Sequence, residues 1–224
     1  MLDRQNHELI LKKIVRDIYE HPLLMTSLGF KGGTCLYMFH GLDRFSTDLD
    51  FNILGRDFKP EDVTKILEQY LTLDENIIKY NTWFWLGGFS KGKQKIKVEI
   101  SKRTYPDRYT ILDYYGLSVR TMSLDCMFAH KLCAITDRKK MANRDLYDIW
   151  FMLKKNFETD ENIVKLRTGK TLKEYFKYLA SFIEKNANPH HILQGMGELL
   201  NDKQKTWVKN SLKKELVMEL RLRG

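Results

Sequence analysis

Two aspartates in the first quarter of the chain have the type and spacing that metal-dependent phosphate chemistry needs. Asp48 and Asp50 are two residues apart, in a segment that alternates polar and apolar residues over 48–54. In a β-strand such residues point to the same face, and aspartate is depleted from strand interiors. Because two close carboxylates repel each other unless a cation neutralises them, we expect them to hold Mg²⁺ or Mn²⁺. The alternative is a solvated strand face on which Asp48 is a turn residue.

A glycine turn precedes the acid pair. Gly32 and Gly33 allow close backbone approach, and the N–H groups at the start of a helix from Thr34 can bind phosphate oxygens. The Thr34 hydroxyl could add a hydrogen bond. Alone, this motif is weak, because most glycine pairs are only turns. Together with the acid pair it predicts a site for a metal-bound nucleoside triphosphate.

Glu99 is a candidate for a third carboxylate. It lies on the polar face of a strand predicted over 94–101, together with Lys95 and Lys97. If this strand lies beside the strand of Asp48, Glu99 could also contact the metal. The alternative is an exposed face of mixed charge.

A second charged cluster lies in the later part of the chain. Lys131 and Arg138 are seven residues apart, so they share a helix face and could bind phosphates. Arg144, Asp145 and Asp148 follow, and the two acids could pair with the cations and orient them. Taken alone, such a cluster is ordinary surface salt bridging, which contributes little.

Hydrophobic periodicity predicts the elements that must position these residues. The first half is expected to contain a helix over 5–28 ended by Gly29, a helix over 34–40, a strand over 48–54, a helix over 60–71, a hairpin of strands 82–89 and 94–101 with its turn at 90–93, and strands over 109–112 and 117–122. The second half is expected to contain helices over 123–137, 143–155, 171–186, 190–200 and 203–221.

This distribution predicts two domains. Strands fill the first half and helices the second, so we expect an α/β unit over 1–122 followed by a helical bundle over 123–224. No run approaches the roughly 18 apolar residues of a membrane span. Three cysteines without a C-x-x-C pair are typical of reduced thiols in a cytoplasmic protein. Cys126 and Cys133 are seven residues apart in a predicted helix, and we expect them to pack in the core.

The positive charge is concentrated in the second half. Residues 1–122 carry 18 Lys and Arg against 16 Asp and Glu, whereas residues 123–224 carry 20 against 13. The net charges are therefore +2 and +7. A basic half suits a polyanionic partner such as RNA, although a lysine-rich soluble surface would look the same.

Two stretches of the sequence resemble a known family. KGGTCLYMFHGLDRFSTDLDFNI and SLDCMFAHKLCAITDRKKMANRDLYDIW are similar to the two motifs of the AbiEii/AbiGii toxins, a branch of the polymerase-β-like nucleotidyltransferases, and Lys97-Val98-Glu99-Ile100 resembles the intervening strand. The resemblance implies a mixed sheet followed by a helical bundle. It implies a phosphate-binding turn at Gly32, Gly33 and Thr34 and a metal site at Ser46, Asp48 and Asp50, with Glu99 as a further ligand.

For the later motif, the resemblance implies that Lys131 contacts the triphosphate, supported by Arg138. It also implies that Asp145 is the essential acid, with Asp148 as the alternative and Arg144 beside them. The expected reaction moves a nucleoside monophosphate from an NTP to an acceptor, such as a tRNA 3′ end, and releases pyrophosphate. The protein would be the toxin of a toxin–antitoxin pair. Alternatives are a protein or small-molecule acceptor, or a non-catalytic nucleotide- or RNA-binding module.

Overall fold

The chain forms two compact units. A computed structural model describes residues 2–55, 58–89, 94–138 and 141–224. Its backbone packing divides at Met1–Met122 and Ser123–Gly224. Within these described ranges, no helix is long and apolar enough to cross a membrane. All three cysteines are free and buried, so the predicted core packing of Cys126 and Cys133 is confirmed.

The first unit is built on one mixed sheet. Its helices are α1 (Arg4–Glu20), α2 (Leu24–Ser27), α3 (Gly32–Phe39) and α4 (Pro60–Glu68). The strands of its described residues are β1 (Leu28–Lys31), β2 (Leu49–Ile53), β3 (Thr72–Ile78), β4 (Thr82–Phe89), β5 (Gln94–Ser101), β6 (Tyr109–Tyr114) and β7 (Leu117–Met122). They lie in the order β3-β4-β5-β2-β1-β7-β6. The middle strand, β2, pairs antiparallel with β1 and parallel with β5.

The alternating segment that carries the acids forms strand β2, as predicted. Leu49 and Phe51 are fully buried on one face of the sheet. Asp50 and Asn52 alternate with them and so lie on the other face. The strands of the predicted hairpin are confirmed as β4 and β5, which pair antiparallel. Its predicted turn, 90–93, lies outside the described residues.

One helix of the first unit is predicted wrongly, and one strand is missed. The helix predicted over 5–28 ends at Glu20, because a residue before proline, here His21 before Pro22, disfavours the helical conformation. Gly29 therefore lies within a strand and does not terminate a helix. Strand β3 was not predicted, because most of its residues are exposed and it has no regular apolar alternation.

The second unit is helical. Its α-helices are α5 (Leu124–Asp137), α6 (Asn143–Lys154), α7 (Glu161–Thr168), α8 (Leu172–Asn186), α9 (Asp202–Trp207) and α10 (Lys213–Arg223). A π-helical segment, Val208–Leu212, joins the last two helices, so the helix predicted over 203–221 is nearly continuous. The helix predicted over 190–200 is wrong. Two short 3₁₀ segments lie there instead, and Gly195 between them has a φ of +73°.

Candidate active site

Three carboxylates, two on neighbouring strands and Asp48 directly before β2, lie around one lysine. The Lys97 Nζ lies 3.7 Å from Asp48 Oδ2, 3.9 Å from Asp50 Oδ1 and 3.7 Å from Glu99 Oε2. Asp50 and Glu99 are direct neighbours in the β2–β5 register. The condition set for Glu99 is therefore met: its strand does lie beside the strand of the aspartates. Sequence reasoning placed Lys97 on this face but missed that it is the shared counter-ion.

The glycine turn lies against the same carboxylates. Lys31, the last residue of β1, is the register partner of Asp50, and the chain turns into helix α3 at Gly32. Gly32 has a φ of +83°, and a Cβ built on it would lie 2.6 Å from Asp50 Oδ2. The turn and the acid strand are therefore in close contact. Only glycine fits this position without strain.

Gly32→Ala is expected to disturb the site in addition to straining the backbone. The left-handed backbone alone costs about 1–2 kcal/mol for an L-residue, and the added methyl group must also displace the Asp50 carboxylate. Gly41 is a matched control, because its φ is +69° but a Cβ there meets nothing within 4 Å. Urea denaturation should show a greater loss of stability for Gly32→Ala than for Gly41→Ala. Equal losses would contradict the steric argument.

Thr34 joins the turn to the acid strand. Its side chain is fully buried, and its hydroxyl donates to the Asp48 carbonyl and lies 2.9 Å from Ser46 Oγ. The Thr34 hydroxyl is therefore used by contacts within the protein. An anion at this turn would be bound by the backbone N–H groups at the start of α3. Ser46 in turn lies beside Gly33, because a Cβ on Gly33 would be 2.9 Å from its Oγ.

Arg44 is a functional candidate that sequence reasoning missed. It is 2% exposed although it carries a full charge, and its Nη1 donates to the Phe45 carbonyl at 2.9 Å. A Cβ on Gly33 would lie 3.0 Å from Arg44 Nη2. A buried guanidinium against a glycine turn adds positive potential where phosphate would bind. Its one sequence signal is a charged residue in the loop directly before Ser46.

His7 of helix α1 supports the loop that carries the acids. Its ring is fully buried between Phe45 and Phe89, and its Nε2 lies 3.0 Å from the Thr47 carbonyl oxygen. Because a carbonyl only accepts, Nε2 carries the proton. The Nδ1 is buried without a hydrogen-bond partner among the described residues. Burial accordingly lowers the pKa of His7 below 6.5.

We expect the free energy of unfolding to fall as the pH is lowered through 6.5. Below that pH the unfolded chain binds a proton on His7, whereas the folded chain does so only at its lower pKa, so protons favour unfolding. His7→Gln retains an N–H donor for Thr47 but does not titrate. Urea denaturation at about pH 7.5 and about pH 5.5 should show a smaller pH effect for this variant. An equal loss of stability in the parent protein and in His7→Gln would rule out His7 as the source of the pH effect.

The second charged cluster is buried in the helical unit. Lys131 Nζ lies 2.9 Å from Asp145 Oδ1 and 2.7 Å from Asp148 Oδ2, and these aspartates are 1% and 0% exposed. Arg138, just beyond the end of α5, places Nη1 3.2 Å from Asp145 Oδ2. The cluster is therefore not ordinary surface salt bridging. Both candidate acids contact Lys131, so this contact does not distinguish which of them is the essential acid.

Arg144, which directly precedes Asp145, lies in the first turn of helix α6. It lines a cavity of about 570 Å³ with Asn143, Asn188, His191 and Gln194, and that lining includes none of the other predicted site residues. Its predicted role beside the essential acid stays a prediction.

Another group of potential metal ligands lies in the helical unit. One ligand atom from each of Asp125, Cys126 and Asp160 lies within 4.8 Å of the others. Hydrogen bonds account for the two carboxylates: Asp160 accepts from the Ile163 N–H at the start of α7, and Asp125 accepts from Ser123 Oγ. We therefore interpret Asp160 as the N-cap of α7 and Asp125 as an acid in the first turn of α5, and neither belongs to the predicted metal site.

Solved structures with similar folds include proteins described as a candidate nucleotidyltransferase and as nucleotidyltransferase-like. A candidate nucleotidyltransferase from H. pylori has a TM-score of 0.67 at 21% identity, covering 100% of this chain and 95% of that one. JHP933 from Helicobacter pylori has a TM-score of 0.66 at 21% identity, with 100% and 92% covered. An antigenic nucleotidyltransferase-like protein from Paracoccidioides brasiliensis has a TM-score of 0.51 at 16% identity, with 84% and 92% covered. The predicted fold, a mixed sheet followed by helices, is confirmed.

The sequence as a whole matches one family. No curated protein matches the chain. A family model described as the nucleotidyl transferase AbiEii toxin of type IV toxin–antitoxin systems matches residues 13–216. This range includes both the sheet carboxylates and the Lys131 cluster. The chain therefore belongs to the AbiEii nucleotidyl transferase toxin family.

Proposed function

We propose that the protein transfers a nucleoside monophosphate from an NTP to the 3′ end of an RNA, with tRNA as the acceptor class, and that it needs a divalent cation to do so. The observation that carries the proposal is the approach of Asp48, Asp50 and Glu99 to a single cationic nitrogen beside the turn at Gly32. Membership of a toxin family fits an acceptor whose modification stops growth.

The carboxylates fit Mg²⁺ or Mn²⁺. They are hard oxygen donors, and all three lie around the position that the Lys97 ammonium occupies. The neighbouring turn offers N–H groups for phosphate oxygens. When bound, the ion would neutralise the carboxylates and the triphosphate and make the acceptor hydroxyl more acidic. Asp48 and Asp50 are its main proposed ligands, and Glu99 completes the set.

The protein groups have separate tasks in this proposal. The backbone of Gly32, Gly33 and Thr34 and the buried Arg44 are the proposed triphosphate-binding groups of the first unit. Lys131 is assigned to phosphate binding by its place in the family motif, with Asp145 or Asp148 orienting its ammonium group. The acceptor oxygen forms a bond to the α-phosphorus. The bond from that phosphorus to the α–β bridging oxygen breaks, and pyrophosphate leaves with the electron pair. The hydroxyl proton passes to water.

An RNA acceptor is supported by charge. The helical half carries 20 Lys and Arg against 13 Asp and Glu, and such an excess attracts a phosphate backbone regardless of its sequence. RNA modification and free, buried cysteines also fit a cytoplasmic protein.

Labelling tests the proposal. The protein is incubated with each α-³²P-labelled NTP, Mg²⁺ and total RNA, and the products are separated after treatment with ribonuclease or protease. We expect ribonuclease-sensitive label of tRNA size that disappears on chelation of the metal. Label that is sensitive only to protease would favour a protein acceptor. Absence of transfer with retained NTP binding would favour a non-catalytic binding module.

Lys97→Gln is expected to tighten divalent-cation binding. The ammonium group competes for the carboxylates that would hold the ion, and removing one unit charge at about 4 Å is worth about 1 kcal/mol in water, or about fivefold in affinity. Lys95→Gln is the control, because Lys95 pairs with Asp74 instead. Calorimetric titration with MnCl₂ in the absence of NTP measures the effect. Unchanged affinity would mean that Lys97 and the ion do not share a position.

A further inference from the structure

A surface cavity lies beside the acid-bearing strand in the first unit. Its volume is about 490 Å³, and its polar lining includes Asn52, Arg103, Tyr105, Asp107, Tyr109 and Arg120. The volume falls in the range of small-ligand sites. Two guanidinium groups, two phenol rings and an amide match the parts of a nucleotide, since arginine binds phosphate, tyrosine stacks on a base and an amide hydrogen-bonds to a base edge.

Asn52 is the most informative residue of this cavity. It is 4% exposed, and its Nδ2 donates to Asp107 Oδ2 at 3.1 Å and to Tyr109 Oη at 2.8 Å. Its Oδ1 is buried without a hydrogen-bond partner among the described residues. The Asn52 amide is therefore held in place by Asp107 and Tyr109, which also line the cavity, so the lining beside the acid-bearing strand is ordered before any ligand binds.

The cavity and the glycine turn flank the carboxylates on opposite sides. Strand β1 runs antiparallel to β2, with Lys31 opposite Asp50 and Leu28 opposite Ile53. The turn that follows Lys31 is therefore at the Asp48 end of β2. Asn52 lies on the same strand face as Asp50 but about 7 Å further along, towards the other end.

This arrangement matches the geometry of phosphoryl transfer. The attacking and leaving oxygens lie roughly in line through the phosphorus. If the triphosphate binds the turn, pyrophosphate leaves on the Asp48 side, and the acceptor hydroxyl must approach from the Asn52 side. The cavity lies on that side.

We propose that this cavity, lined by Asn52, Arg103 and Tyr109, binds the 3′-terminal nucleotide of the acceptor RNA. The proposal rests on the proposed function and adds the place where the acceptor is held. The terminal hydroxyl oxygen of the acceptor RNA forms the bond to the α-phosphorus of the NTP. Pyrophosphate leaves with the bridging oxygen, and the hydroxyl proton passes to water. Arg103 is the group assigned to a phosphate of this nucleotide or of the one before it.

Arg103→Ala tests this assignment. Arg103 is exposed, so its replacement should not affect folding. Losing a charge-assisted hydrogen bond should raise KM for tRNA about 10- to 100-fold, while the Kd of a non-hydrolysable NTP stays unchanged. Arg103→Lys should recover part of the loss. Lys79→Ala removes the same charge from an exposed position outside the cavity and should leave KM nearly unchanged.

Binding of labelled transcripts separates a 3′-end site from general attraction to RNA. The parent chain should bind a complete tRNA transcript more tightly than one lacking its last nucleotide, and Arg103→Ala should abolish that difference. Persistence of the difference in Arg103→Ala, with transfer to tRNA intact, would overturn the cavity assignment and leave the proposed function standing. If the parent chain labels a protein and no RNA, both proposals fail.

Discussion

Asp48→Asn is expected to slow nucleotidyl transfer about a thousandfold or more and to change the free energy of unfolding by less than about 1 kcal/mol. A metal contributes several kcal/mol of charge stabilisation, and each 1.36 kcal/mol is a factor of ten in rate. The stability effect is small because asparagine keeps the size and one side-chain oxygen of Asp48, and the Lys97 ammonium is 3.7 Å away, beyond hydrogen-bond distance. Lys97 also keeps Asp50 and Glu99 as partners.

The control for this variant is Asp74→Asn. Asp74 is an exposed residue of the same sheet that pairs with Lys95, so the change in charge is identical but distant from the carboxylates. Single-turnover transfer of label to RNA and urea denaturation are measured for both variants. A fully active Asp48→Asn chain would show that the metal ligands have been wrongly assigned.

Lys131→Ala is expected to destabilise the chain by about 3–5 kcal/mol and to weaken NTP binding. The ammonium group neutralises Asp145 and Asp148, which are almost completely buried. Its removal leaves these carboxylates without the closest opposite charge, at a depth where water cannot replace it. The effect on NTP affinity follows from the proposed contact with the triphosphate.

Two further variants separate the effect on stability from the effect on NTP binding. Lys154 also pairs with two carboxylates, those of Glu215 and Glu219, but its side chain is 41% exposed, so Lys154→Ala should cost about 1 kcal/mol or less. The triple variant Lys131→Met, Asp145→Asn, Asp148→Asn removes the buried charges together. It should recover most of the stability, because Arg138, which loses Asp145 as its partner, is 45% exposed and stays hydrated. Low NTP affinity in the stable triple variant would support the triphosphate contact. Normal affinity would make Lys131 a structural residue alone.

Local patterns were enough to find the first half of the site. The alternation around Asp48 and Asp50 required a strand, and the Gly32-Gly33 pair required a turn, because both depend on neighbouring residues alone. Helix α7 could also have been predicted from local patterns, since Asp160 caps its start and Gly169 ends it with a φ of +72°. Sequence reasoning nevertheless missed that helix.

Long-range contacts decided the rest. The burial of Arg44 and the counter-ion role of Lys97 follow from which strands become neighbours, and the spacing of residues does not contain that information. Similarly, nothing near His7 in the sequence indicates that its ring contacts the carbonyl of Thr47, forty residues later. Charged residues are usually exposed, so an interpretation without the fold assigns them to the surface by default.

The position of strand β2 has a consequence for the motions of the site. It is the fourth of the seven strands in the described sheet, with three on each side. Central strands exchange their amide hydrogens only through the largest opening events, with free energies close to that of global unfolding. The amides of Leu49–Ile53 should therefore be among the slowest to exchange, and the spacing of the aspartates should persist for as long as the unit remains folded.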